Sequence, residues 1–339
     1  MKTVVARGSA FEMGQMVGKA GILGFRYNCR ERPPVSEETA RLFARVAWAF
    51  TQSRYPAIAK EIEGISVGAE IPLDVLFLLY CEELWDSEEM NPSTGCTDIV
   101  ARGKNSATGT TLLAHTNDSG AQFPGATSVT LIPNDGRPSS VGLGIDGYAP
   151  AVGRNARGII LTGNQLTSSD VRPGVPRLIL ARAVLDQFTL EEAVAVCLDP
   201  DRASSYNNIL ADSFGRVIDL EGSATRTSVV PFKDDLLIHT NHYLMPGMVG
   251  LEEKGDQSST QNRLDVATEL AHKFSPLTPS KLALILANHE GEPNCICRHG
   301  DDTRTFFATI YEAETGRCWV SDGPPCLQSW YCESPFPPE

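Results

Sequence analysis

Apolar residues recur every three or four positions through much of the first 90 residues, then alternate with polar ones through most of the remainder. The period changes at Gly95-Cys96. Ser9-Ala10-Phe11-Glu12 has the S-x-x-E form in which a serine oxygen and a glutamate satisfy the free amides of a helix start, so a helix is predicted from there. Residues 36–53 place Ala40, Phe43, Val46, Ala47 and Phe50 at helical spacing, and residues 55–69 do the same with Ile58, Ile62, Ile65 and Ala69. A short helix is predicted over 72–85. Beyond Cys96, β-branched residues between turn signals predict strands at 97–101, 110–115, 128–132, 141–145, 158–163, 208–211, 217–220, 228–231 and 236–240, with two more at 305–310 and 317–320. Helices are predicted at 177–187, at 261–274, at 278–287, and from the T-x-x-E box Thr189–Glu192 to about residue 198. Helices first, then strands, then helices and more strands predict an α+β layered fold, with no repeat and no Gly/Ser linker to divide it.

Composition narrows the function classes. A net charge of -13 lacks the clustered Lys and Arg that a nucleic acid partner needs. No apolar run approaches the 18 or so residues of a membrane span, and the first eight residues lack the apolar core of a secretory signal. A soluble, cytoplasmic protein with no membrane partner is expected. Nine cysteines scattered over 339 residues do not form the dense even framework of a secreted domain, so most are expected to be reduced.

The chemistry concentrates on Thr94-Gly95-Cys96-Thr97. If the Gly95-Cys96 bond breaks, Cys96 gains an α-amine of pKa about 7.7–8.0, near enough to neutrality to act as the base for its own thiol. A lone cysteine is more often an inert core residue. Other polar groups stand where a core would be apolar: Asp118 after a strand, Asn164 in Gly163-Asn164-Gln165, Asn241 in His239-Thr240-Asn241-His242, and Arg298 in Ile296-Cys297-Arg298-His299. Asp118 has a plainer reading as a turn aspartate, and Asn164 and Asn241 as strand-end amides satisfying backbone groups. Cys295-x-Cys297-x-His299 offers thiolate and imidazole donors, but the spacing is not that of a common structural zinc site and no second pair stands at a matching distance along the chain. No metal and no cofactor are expected.

Taken in order, these segments resemble the acyl-coenzyme A:isopenicillin N acyltransferase family, peptidase family C45 of the N-terminal nucleophile (Ntn) hydrolases. The resemblance runs from Gly8-x-x-Phe11-Glu12-x-Gly14-x-x-x-Gly18 through Gly95-Cys96-Thr97, Gly174-Val175-Pro176, His239-Thr240-Asn241-His242 and Ile296-Cys297-Arg298-His299 to Gly323-Pro324-Pro325-Cys326. It implies a four-layer αββα sandwich of two stacked, mainly antiparallel sheets. It also implies a precursor cleaved between Gly95 and Cys96 into an α chain (1–95) and a β chain (96–339) that stay together as one composite domain. On that resemblance Cys96 is the nucleophile, Asp118 orients its amine, Asn241 and Asn164 donate to the oxyanion, and Arg298 orients Asp118 or the substrate. Substrate contacts fall to His115, Thr116 and Asn117, with Thr116 standing where the family usually has asparagine. The peroxisomal tripeptide of the penicillin-forming members is not found at Phe336-Pro337-Pro338-Glu339.

The expected activity is therefore a self-processing N-acyltransferase or amidohydrolase. It would form an acyl-enzyme thioester at Cys96 from a small amide or an acyl-CoA thioester and pass the acyl group to an amine or to water. Residues 124–148 and 172–177 are expected pocket walls, and Arg154, Arg157, Arg172 and Arg177 are candidates for binding coenzyme A phosphates. Two other readings stay open: an unprocessed binding or scaffold protein, and a Cys-His hydrolase using His115, His239 or His242 as base.

Overall fold

The computed structural model describes residues 1–30, 33–85, 95–253 and 255–333; Thr94 and the C-terminal Phe336 to Glu339 lie outside them. The chain opens with strand β1 (Lys2–Gly8), then helices α1 (Ala10–Ala20), α2 (Ile22–Asn28), α3 (Glu37–Arg54), α4 (Pro56–Ala69) and α5 (Leu73–Leu76), the last continued by two 3-10 turns. Strands β2 (Gly95–Ala101), β3 (Leu112–Gly120), β4 (Ala126–Pro133), β5 (Ser140–Ile145), β6 (Val152–Asn155) and β7 (Ile160–Asn164) follow. Helices α6 (Arg177–Val184) and α7 (Leu190–Cys197) precede β8 (Asn207–Ala211), β9 (Val217–Gly222), β10 (Thr227–Val229) and β11 (Leu236–His239). The chain ends with α8 (Pro246–Val249), α9 (Ser258–Phe274), α10 (Pro279–Leu286), β12 (Thr303–Glu312), β13 (Arg317–Asp322) and β14 (Trp330–Glu333).

The strands form two sheets, β1-β4-β5-β6-β7-β8-β9-β10 and β11-β2-β3-β12-β13-β14, antiparallel except for the β1–β4 pair. Period-two alternation assigns their faces. Ile160, Ile209 and Ala211 of the first sheet meet Val100, Leu113, Phe307 and Val320 of the second in a shared core. On the outer side of the first sheet, Leu161, Leu210 and Leu220 pack under the α2–α4 and α6–α7 helices. On the outer side of the second, Ile99, Ala101, Leu112 and Ala114 pack under α9 and α10. The layers are thus helix, sheet, sheet, helix: the αββα sandwich.

Three strands carried no usable signal in the sequence. β1 lies where only helix was expected; its buried face is just Val4 and Ala6, and its partner β4 is more than 120 residues away. β6 is four residues long, and β14 pairs only with β13 at the sheet edge. By contrast, both capping boxes form as read, at Ser9/Glu12 and Thr189/Glu192. Helices α1 and α4 cross at glycines on both sides. A Cβ on Gly14 would stand 2.0 Å from the Glu61 carbonyl, and one on Gly64 2.1 Å from the Phe11 carbonyl. The Gly14-x-x-x-Gly18 spacing is therefore a packing requirement, met by Gly64 and Gly68 on the partner helix.

Candidate active site

Alternation along β2 and β3 divides the site between the two faces of one sheet. Cys96, Asp98 and Val100 point into the sandwich interior with Asn117, His115 and Leu113, which pair with them across the strands. Gly95 and Thr97 share the opposite face with Asp118 and Thr116, toward α9. Gly95 and Cys96 are consecutive residues of one strand, so this is the uncleaved chain and the Cys96 nitrogen is an amide. The thiol lines a cavity of about 250 Å³. Its one side-chain neighbour by hydrogen bonding is Asn117, whose Nδ2 lies 3.9 Å away. Burial, helped by the charges of Asp118 and Asp98, pushes the thiol up to about 12. Before any cleavage it is protonated at neutral pH.

Three side chains converge on the Gly95-Cys96 peptide from its far side. Asn241 Oδ1 accepts from the Cys96 amide at 2.8 Å and from Arg263 Nη2 at 2.8 Å, which fixes the orientation of its amide group. Its Nδ2 donates to the Gln165 carbonyl at 3.0 Å, leaving the second N–H uncommitted. Arg263, buried in α9, also donates to the Cys96 carbonyl and, at 3.1 Å, to Thr97 Oγ1. Asp118 is held through Oδ1, which accepts from Thr305 Oγ1 at 2.6 Å. Its Oδ2 lies 3.6 Å from Arg298 Nε and, although buried, has no hydrogen-bond partner among the described residues. A Cβ at Gly95 would meet that same oxygen at 3.1 Å. Burial raises the Asp118 carboxyl above its ordinary range, against the opposing pull of Arg298, Arg263 and Thr305.

The structure brings Cys96, Asp118, Asn241 and Arg298 together but leaves Asn164 behind them. Asn164 Nδ2 donates to Asp98 Oδ2 at 2.9 Å, and its Oδ1 accepts from Asn207 and His239. One N–H of its amide goes to that buried carboxylate, and Asn164 is not among the residues that line the cavity. Asn117 supplies the amide nearest the sulfur. Of the three expected substrate contacts only Asn117 lines the cavity. His115 is fully buried, with Nδ1 donating to Asp98 at 3.0 Å, and Thr116 is buried with an unpartnered hydroxyl.

None of the histidines proposed as an alternative base is bonded to the Cys96 thiol. Both ring nitrogens of His239 face oxygen acceptors, Glu221 Oε1 at 2.9 Å and Asn164 Oδ1 at 3.0 Å. Burial opposes its charge, but the Glu221 hydrogen bond and the charges of Asp219 and Glu221 raise its pKa overall. His242 is bonded to Thr260 at 2.9 Å, and burial with the neighbouring His239 and Arg263 pulls it down to about 4.

The cavity has two characters. Phe123, Leu143, Ile145, Tyr148 and Val152 make one side apolar, with the Phe123 and Tyr148 rings meeting edge-on at 5.8 Å. Glu82, Arg177 and Tyr206 make a polar cluster: Arg177 Nε donates to Glu82 Oε2 at 3.1 Å, the Tyr206 hydroxyl donates to the same oxygen, and the guanidinium lies over the Tyr206 ring. The expected walls are present in part, through residues 143–145, Tyr148 and Arg177. The four arginines considered for coenzyme A do not converge. Arg154 donates to the Gly316 carbonyl, Arg157 stacks on Phe188, Arg172 is bonded to the Arg202 carbonyl, and Arg177 alone of the four reaches the cavity, already paired with Glu82. Among the described residues, no helix is long and apolar enough to cross a membrane.

A four-layer sandwich whose candidate nucleophile begins a central strand defines the Ntn-hydrolase class. The sequence model of the acyl-coenzyme A:6-aminopenicillanic acid acyl-transferases matches residues 139–324, and the chain belongs to that family. The β-alanyl-dopamine/carcinine hydrolase of Drosophila melanogaster is 25% identical over 205 residues, 55% of this chain and 52% of that protein, so the chain spans about half the length of this relative. A conjugated bile acid hydrolase variant from Clostridium perfringens is 12% identical at a TM-score of 0.48, over 70% of this chain and 97% of its own. Penicillin V acylase from Agrobacterium tumefaciens is 16% identical at a TM-score of 0.45, over 70% of this chain and 86% of its own.

Proposed function

We propose that the chain is the precursor of a self-processing amidohydrolase in which Cys96 acts twice. The observation that carries this reading is the buried Asp118 Oδ2, which lacks a hydrogen-bond partner among the described residues and faces Gly95 beside the Cys96 nitrogen. A buried carboxylate oxygen without a partner is costly and asks for a reason. Cleavage supplies one. In the first phase the Cys96 sulfur attacks the Gly95 carbonyl carbon, the Gly95–Cys96 C–N bond breaks, and the acyl group of Gly95 passes to sulfur as the nitrogen takes up a proton. Water then splits the thioester, leaving a Gly95 carboxylate and a free Cys96 amine. Whenever it is protonated, that amine gives Asp118 Oδ2 the hydrogen-bond donor it lacked, beside the Arg298 guanidinium, while Asn241 Oδ1 keeps its hydrogen bond to the same nitrogen.

In the second phase the neutral amine draws the thiol proton, the sulfur attacks a substrate amide, the resulting ammonium gives the proton to the leaving nitrogen as the C–N bond breaks, and water then splits the acyl thioester to free acid and thiol. The uncommitted Asn241 N–H and the Asn117 amide are the donors for the oxyanion, a role worth on the order of 3 kcal/mol per donor. The same α-amine near the thiol lowers its pKa, reversing the effect of Asp118 and Asp98. The fragments 1–95 and 96–339 stay associated because β1 is a strand of the first sheet and α1 to α4 cover it.

The cavity supports a small amide with an apolar or aromatic portion against Phe123 and Tyr148 and a polar portion toward Glu82. The scattered arginines support water as acceptor over transfer from coenzyme A. The related hydrolase makes β-alanyl amides a suitable first probe. Product analysis on carcinine, N-acyl aromatic amines and acyl-CoA thioesters, each with and without an added amine, tests this. Release of free acid from an amide, abolished in Cys96→Ala, is expected. Turnover unaffected by Cys96→Ala overturns the proposal.

A further inference from the structure

The sequence offered Cys297 and His299 as metal-type donors without a second pair, and the fold supplies one. His289 follows α10, His299 precedes β12, and Cys326 lies in the turn between β13 and β14. The donor atoms of these three residues lie within 4.8 Å of one another. The two Nε2 atoms face each other at 3.2 Å, with the rings nearly perpendicular at 81°. Two zinc–nitrogen bonds of about 2.0–2.1 Å at a tetrahedral angle place their nitrogens about 3.3 Å apart, so the separation, which a ring N–H···N hydrogen bond also gives, fits two ligands on one ion. His289 is half-buried and His299 and Cys326 are exposed, so an ion has an entry path from solvent.

We propose that His289, His299 and Cys326 bind a zinc ion. Two imidazoles and one thiolate form a donor set that suits zinc among the common divalent cations, with water in the fourth position. The site acts as a clasp. It fastens the turn at 323–327 to the segment 295–299, and that segment carries Arg298. Arg298 is tied in turn to Asp118: its amide donates to Thr305 Oγ1 at 2.9 Å, and the same hydroxyl donates to Asp118 Oδ1. The site itself does not depend on the reaction proposed above.

The test uses full-length wild-type protein, reduced, loaded with zinc and desalted. About one zinc per chain by elemental analysis is expected, and a cobalt-loaded sample should show the visible bands of a tetrahedral site with a thiolate-to-cobalt transition. Cys326→Ser and His289→Ala should each weaken zinc binding by more than the roughly 10–100-fold typical of losing an outer-shell partner. Absence of zinc from reduced wild type overturns the proposal, as does zinc retained with full affinity by both variants. A Cys297–Cys326 disulfide in freshly purified protein, found by peptide mapping without reductant, also overturns it.

Discussion

Asp118 is the residue on which both proposed phases depend: its carboxylate flanks the Gly95–Cys96 peptide before cleavage and would pair with the protonated Cys96 amine afterwards. Replacing it with asparagine keeps the shape and the Thr305 hydrogen bond but removes the charge. Asp118→Asn should therefore slow processing and amide turnover together, each by about 100-fold or more, the scale of a lost general-base arrangement. Time-resolved gel analysis and product assays check this; a variant that processes normally would remove Asp118 from the site. Gly95 makes a steric prediction. A side chain there meets Asp118 Oδ2 at 3.1 Å and Arg263 Nη2 at 3.2 Å, so Gly95→Val must displace both from the peptide they flank. Misplacement by about 1 Å costs on the order of 100-fold, and a fall of that size in the processing rate is expected. Cys96, Asp118, Asn241 and Arg298 were legible because each sits in a short motif whose order along the chain is distinctive. Arg263 was not. An arginine in an amphipathic helix reads as a surface residue, and only the docking of α9 on β2 shows that its side chain is buried against Asn241 and the Cys96 carbonyl. For Asn164 the position at a strand end was readable, but its hydrogen bond to Asp98 depends on the packing of β7 against β2.

Among the elements, the α1–α4 crossing is the most exacting contact. Backbone carbonyls occupy the space a Cβ would need at both Gly14 and Gly64, and no rotamer change relieves a clash with backbone. Gly64→Val should destabilise the protein by about 3 kcal/mol or more, the upper range for overpacking, measured by urea unfolding of a Cys96→Ala background to keep the chain uniform. Near-unchanged stability would show that the helices can separate at low cost. The segment after β11 gives a pH prediction. His242 is pulled down to about 4 from 6.5, so below pH 6.5 the unfolded chain binds a proton that the folded chain refuses, and stability falls as pH drops from 6.5 toward 4. His242→Gln should flatten that part of the pH–stability curve; an unchanged slope would contradict it. Long amphipathic helices and the strands after Cys96 were readable because their burial is one-sided and periodic. β1, β6 and β14 are short or at an edge, and what makes them strands is a partner distant in sequence.

For the whole molecule, the sandwich explains how one peptide bond can be both structural and reactive. Gly95–Cys96 lies inside a paired strand, so the chain must fold before the bond meets Asp118, Asn241 and Arg263. The layer order was foreseen from the sequence of helices and strands and from family resemblance. The position of the cavity between the sheets was not, because it is built from β3, β5, β6 and β8 together with Glu82 and Trp85, which periodicity alone does not assemble. The most direct measurement is the intact mass of freshly purified wild-type and Cys96→Ala chains under denaturing conditions. Two wild-type fragments divided between Gly95 and Cys96, with Cys96→Ala remaining whole, is the predicted result. A wild-type chain that stays in one piece while hydrolysing amides would contradict the account.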